Sequence, residues 1–123
     1  MARFMFIFRG GGYARPDSLS PTELQAHLAK WTQWTDGLLA AGKLSSANAL
    51  EFPATGKTLR GKERNVTDGP YAESKDLVSG TLIVEVASLD EALGLARGCP
   101  ILELDGSVEV RPVIPTPEPA SKK

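Results

Sequence analysis

At 123 residues the chain is long enough to bury one core and too short for two, so residues 1–114 read as a single domain and 115–123 as an irregular tail. Its 14 Lys and Arg against 15 Asp and Glu leave a net charge of −1. That balance excludes the basic surplus of a nucleic-acid binder and the acidic block of a solvating tail. The one cysteine, Cys99, excludes an internal disulfide and a cysteine-based metal site; it reads as a buried thiol rather than a nucleophile and points to a cytoplasmic chain.

Met1 to Arg9 starts like a secretion signal, but its apolar run is five residues between two arginines, short of the roughly 7–15 of a signal core. It reads as a strand, with Phe4, Phe6 and Phe8 on one face and Met5 and Ile7 on the other. No run reaches the ~18 apolar residues of a membrane span. Gly10-Gly11-Gly12 ends the strand, and no Gly-Lys-Ser/Thr follows to make a phosphate loop. Ser20, Pro21 and Glu23 together predict a helix start: an N-cap hydroxyl, a proline in the first turn and the acid of a capping box. At 100° per residue Leu24, His27, Leu28, Trp31, Trp34, Leu38 and Leu39 share one broad stripe, and Gly42 ends the helix near Ala41.

A second strand is expected from Leu44 to Phe52, closed by Pro53. Lys57–Arg60 and Arg64–Thr67 flank Gly61-Lys62-Glu63 and predict a polar hairpin. Asp68, Gly69 and Pro70 form a rigid turn, because Gly69 tolerates backbone angles other residues avoid while Pro70 fixes its own φ. Leu77–Val86 is the next strand. Ser88 and Glu91 predict a second capping box, Leu89, Ala92, Leu93 and Ala96 the apolar stripe of that helix, and Gly98 with Pro100 its stop. Val108, Val110 and Pro112 alternate with Glu109 and Arg111 in a last strand, and Pro115–Lys123 is expected to be disordered.

The order β-α-β, hairpin, β-α-β is that of an α+β, ferredoxin-like βαββαβ domain with an extra hairpin. Two helices cover one sheet face only. Since the first strand is apolar on both faces, the second face is expected to be covered by another copy through a two-fold, isologous interface.

Thr67-Asp68-Gly69-Pro70-Tyr71-Ala72-Glu73-Ser74-Lys75 resembles the T-D-G-P-F-x-E-x-K stretch of the YCII-related family, in the DGPF-domain branch named for its Asp-Gly-Pro-Phe motif, with Tyr71 replacing Phe. Gly98-Cys99-Pro100 and the strand Gly106–Val113 are similar to the family's later blocks, in the same order. The resemblance implies a dimeric α/β-barrel assembly, and some relatives carry a His nine residues before an Asp in the first helix, as His27 and Asp36 are here. It also implies a possible link to extracytoplasmic-function sigma factors.

His27 is the one histidine. It reads either as a neutral core residue or as a general acid or base in a cleft between helix and sheet. Nine residues is half a turn out of phase, so His27 and Asp36 leave a straight helix on opposite sides. Asp68 and Glu73 are the other candidate acid–base groups, and Tyr71 and Lys75 the candidate ligand-binding ones; the alternative is a turn braced by Asp68 and a solvated Glu73/Lys75 pair. One histidine, one cysteine and no paired carboxylate spacing imply neither metal nor other cofactor. Trp31 and Trp34 with Phe4, Phe6 and Phe8 read as core and dimer seam, the alternative being an aromatic ligand box. Two functions stay open: a homodimeric module that binds a small molecule and regulates, or a cofactor-free enzyme doing acid–base chemistry on a small aromatic or lactone-like substrate.

Overall fold

Alternation of bulky apolar residues makes Ala2–Arg9 the first strand, β1, and seats it in the middle of a four-stranded antiparallel sheet of order β2-β5-β1-β6. The computed structural model describes residues 2–10, 19–51, 55–69 and 77–115. Around β1 the chain runs α1 (Pro21–Ala40), β2 (Leu44–Ala49), β3 (Lys57–Arg60), β4 (Asn65–Asp68), β5 (Val78–Val86), α2 (Leu89–Ala96), a 3₁₀ helix (Pro100–Leu104) and β6 (Ser107–Pro112). Strands β1, β2, β5 and β6 with the two helices give the split β-α-β arrangement of a ferredoxin-like α+β domain.

Register decides which side chains meet. Phe6 lies between Leu82 of β5 and Val110 of β6, and Phe4 and Phe8 sit opposite Val84 and Gly80. These faces turn toward the helices and bury Phe4, Phe6, Phe8, Leu82, Val84 and Val86 with Leu38 of α1, Ala92 and Ala96 of α2, and Ile101. Each such side chain contributes about 1.5–3 kcal/mol when fully buried. The three phenylalanines of β1 and both tryptophans therefore belong to the covered side. No part of the sheet's other face comes from them.

That other face carries Met5 and Ile7 of β1 and Ile83 of β5, all half-buried, framed by ion pairs Arg3–Glu85, Arg9–Glu109 and Arg111–Glu109. Its apolar centre is smaller than the sequence suggested, because β6 offers Glu109 and Arg111 there instead of hydrophobes.

The helix ends follow local chemistry. Ser20 accepts from the Glu23 amide and Glu23 from the Ser20 amide, a complete capping box, and those bonds hold the Glu23 carboxyl below its ordinary pKa. At α2 the box is open. Ser88 accepts from the Glu91 amide, but the Glu91 carboxylate reaches back to the Ala87 amide and also pairs with Lys43, 3.0 Å away. Gly42 takes φ +72° after α1, the left-handed stop its position foretold.

Strand β2 ends at Ala49, earlier than the run to Phe52 suggested, and residues 52–54 lie outside the described set. Strands β3 and β4 pair with each other as a two-stranded unit. Leu59 faces Val66 and Lys57 faces Asp68 across it. The 3₁₀ helix at Pro100–Leu104 was hidden in the sequence by Gly98 and Pro100, which read only as a stop. It packs on α1, where Lys30 bonds Glu103 at 2.7 Å.

Candidate functional site

The broad apolar stripe of α1 splits in two when laid on the sheet. One seam, His27, Trp34 and Leu38, turns into the core. Trp34 donates its indole N–H to the Leu95 carbonyl at 3.2 Å, and a Cβ on Gly98 would press within 3.3 Å of that indole nitrogen. The other seam, Leu28, Trp31 and Thr35, stands over β2 and the end of β5, where Trp31 packs on Phe8 while Leu28 and Thr35 line an open space. Leu28 is about half exposed for that reason, and Leu39 further along is 63 % exposed, so neither packs as the stripe predicted.

The gap has a cause in residue size. Below α1 the facing positions are Ala47 and Ala49 of β2 and Gly80 of β5, where pairing sets Ala47 beside Leu82 and Ala49 beside Gly80. Three small residues in one corner leave a cavity of about 580 Å³. Its walls are Leu28, Trp31 and Thr35 above, Phe8 and Leu82 at the back, and Ala47 to Glu51 along the edge. Phe8 and Trp31 meet edge to face, centroids 4.9 Å apart at 86°, which fixes both rings. The space is therefore stiff-walled and apolar, with Glu51 as the lining carboxylate.

His27 is 6 % exposed and does not line this cavity. Its neighbours in charge are Glu103 of the 3₁₀ helix and Lys30. Burial lowers its pKa below the ordinary 6.5; Glu103 opposes that shift and Lys30 adds to it. Asp36 is exposed on the same helix, on the side away from the core, so the two do not form a dyad. A His with a lowered folded pKa favours the folded state while neutral. That contribution is complete above the unfolded value of about 6.5 and is lost as pH falls through it toward the folded value. His27→Gln is accordingly expected to cost about 1 kcal/mol near pH 7.5 and to flatten the fall in melting temperature between pH 7.5 and about 5.5, above the range where carboxylates titrate. Melting curves of both proteins across that range check this; equal slopes would refute it.

Asp68 is 85 % exposed on its side chain and pairs with Lys57 across the base of the β3–β4 hairpin. The Thr58 hydroxyl donates to the Gly69 carbonyl at 2.6 Å, and the Gly69 amide to the Gly56 carbonyl at 2.8 Å, so the residues around Asp68 close the hairpin. Tyr71, Glu73 and Lys75 lie outside the described residues. His27 has Glu103 and Lys30 as its charged neighbours, and Asp68 has Lys57. Cys99 is buried and its thiol is pushed up to about 12 by desolvation, which leaves almost no thiolate at neutral pH. Among the described residues no cluster of three His, Cys, Asp or Glu is placed to hold a metal ion. Among the described residues no helix is long and apolar enough to cross a membrane.

The sequence profile of the YCII-related domain matches residues 7–117. The chain belongs to the YCII-related family. Within curated proteins it is 42 % identical over 76 residues to an uncharacterized protein of Rhizobium meliloti (strain 1021), a match covering 59 % of this chain and 61 % of that one. The YCII-related chain thus spans about three fifths of that relative's length. Among solved structures it is similar to the 5-chloro-2-hydroxyhydroquinone dehydrochlorinase of Burkholderia phenoliruptrix, determined with 2,5-dihydroxybenzoquinone. That likeness covers 89 % of this chain and 90 % of the other at 20 % identity, with a TM-score of 0.44.

The sequence marks the aromatic and leucine walls of the cavity but not the space between them: Thr35 is a polar residue beside an apolar stripe, and Ala47, Ala49 and Gly80 signal the space only through what they lack.

Proposed function

We propose that this YCII-related protein is a homodimeric module that binds a small apolar molecule in the cavity under α1, with a regulatory output rather than a catalytic one. The observation that carries the reading is the cavity itself. About 580 Å³ is within the ordinary range for small-molecule sites, and ring walls locked edge to face are suited to a flat guest. Among the described residues the lining contains no His, Cys or Lys, and the acid–base alternative finds there Glu51. A sigma factor, the partner suggested by the family resemblance, would be the receiver of the signal.

The homodimer rests on the open sheet face. Met5, Ile7 and Ile83 form an apolar centre, and the Arg3–Glu85 and Arg9–Glu109–Arg111 pairs around it put both signs of charge on one surface. A two-fold axis can then set arginines of one copy against glutamates of the other. Sedimentation should show a two-copy particle that Ile7→Glu converts to a folded single copy. Binding is tested on the same preparations by the rise in melting temperature and the change in Trp31 emission on adding small aromatic compounds. Ala47→Trp, which fills the space, should abolish both. A single-copy particle at every concentration would end the dimer half of the reading, and responses that survive Ala47→Trp would end the binding half.

A further inference from the structure

We infer that the cavity selects a flat molecule that brings its own hydrogen-bond donor and carries no negative charge, an arylamine or a phenol, and that Thr35 reads that donor. The inference rests on the binding role proposed above and narrows it.

A hydroxyl has one proton. The Thr35 Oγ1 lies 3.0 Å from the Trp31 carbonyl and 3.1 Å from the Thr32 carbonyl, both of which can only accept. Its proton is committed to the helix backbone, and what it offers the cavity is a lone pair. The other lining groups repeat the pattern. Ser79 donates its hydroxyl to the Phe8 carbonyl at 3.4 Å, and the Glu51 carboxylate accepts only. The indole nitrogen of Trp31 is buried, out of the free space. Asn48 and Thr81 pair with each other, one residue out of phase with Ala47–Leu82 and Ala49–Gly80, so alternation turns both side chains to the opposite face of the sheet.

An apolar space furnished with acceptors rewards a guest that supplies a donor and penalises one that adds another acceptor, because two acceptors brought together without water leave both unsatisfied. Ethers, esters and lactones are thereby disfavoured. Carboxylates and phosphates are doubly so, since Glu51 repels them.

The probes are 2-naphthol, 2-naphthylamine, 2-methoxynaphthalene and 2-naphthoate, titrated by calorimetry against the unaltered chain, Thr35→Val, Thr35→Ser and Glu51→Gln. Naphthol and naphthylamine should bind about tenfold more tightly than the methyl ether, the effect of one hydrogen bond. Thr35→Val should erase that preference and Thr35→Ser keep it. Naphthoate should bind most weakly and improve with Glu51→Gln. Equal binding of naphthol and its methyl ether, or a preference that outlasts Thr35→Val, would overturn the donor rule while leaving the cavity a ligand site. Failure of all four probes would overturn both.

Discussion

Phe6→Ala is expected to remove about 3–5 kcal/mol from a fold whose whole stability is of order 5–15 kcal/mol. The side chain is fully buried on the central strand, beside Leu82 and Val110, and stacks on Trp34 at 6.2 Å with 21° between the ring planes. Truncation there cannot be repaired by local collapse. The strands on either side are held in register by their own backbone bonds, and Trp34 is tied to Leu95, so a void remains. Phe6→Leu, which keeps most of the volume, should cost less than half as much. Urea denaturation of the three proteins measures both values, and a loss below about 1 kcal/mol for the alanine variant would show that the core is centred elsewhere.

Gly80→Val is expected to have the second-largest effect, about 1–3 kcal/mol, of the kind produced by overpacking. A Cβ at Gly80 would lie 2.7 Å from the Asn48 carbonyl oxygen and 3.4 Å from the Ala49 Cα. Both are backbone atoms that cannot swing aside, so β2 must move off β5. The cost therefore falls on the corner that lines the cavity, and ligand response should be lost with stability. A matched control exists in Gly37 of α1, where a Cβ meets nothing within 4 Å. Gly37→Ala should stabilise by about 0.5–1 kcal/mol, because alanine suits a helix interior better than glycine. Chemical denaturation of the two variants checks the contrast, and a neutral Gly80→Val would show that β2 and β5 are more loosely paired than their register implies.

These two sites also mark how far the sequence could be read. The Phe4, Phe6, Phe8 alternation is a short-range signal, and it correctly implied one buried face; so did the capping residues of α1, whose bonds are local to four residues. What sits across a strand is not local. The cavity arises because Ala49, Gly80 and Phe8 fall in one row, and that row exists only once β1, β5 and β2 are in register. His27 illustrates the same boundary. Its helical phase foretold burial, but its electrostatic company, Glu103, comes from a 3₁₀ helix about seventy residues later that no pattern announced. The open box at α2 is a smaller case: Glu91 accepts from the Ala87 amide and pairs with Lys43, remote in sequence, instead of reaching the Ser88 amide its spacing predicts. Asp68 reads as a turn residue and is found closing a hairpin through Lys57.

Among the described residues strand β2 has one neighbour, β5, and its sequence Leu-Ser-Ser-Ala-Asn-Ala is poor in the branched and aromatic residues that favour strands. It is therefore the ladder most easily peeled, and it is also the outer wall of the chamber. A guest seated against Ala47 and Ala49 would fasten the loosest seam of the molecule, so occupancy should be legible as slowed deuterium uptake confined to residues 44–50, with the central strands unchanged.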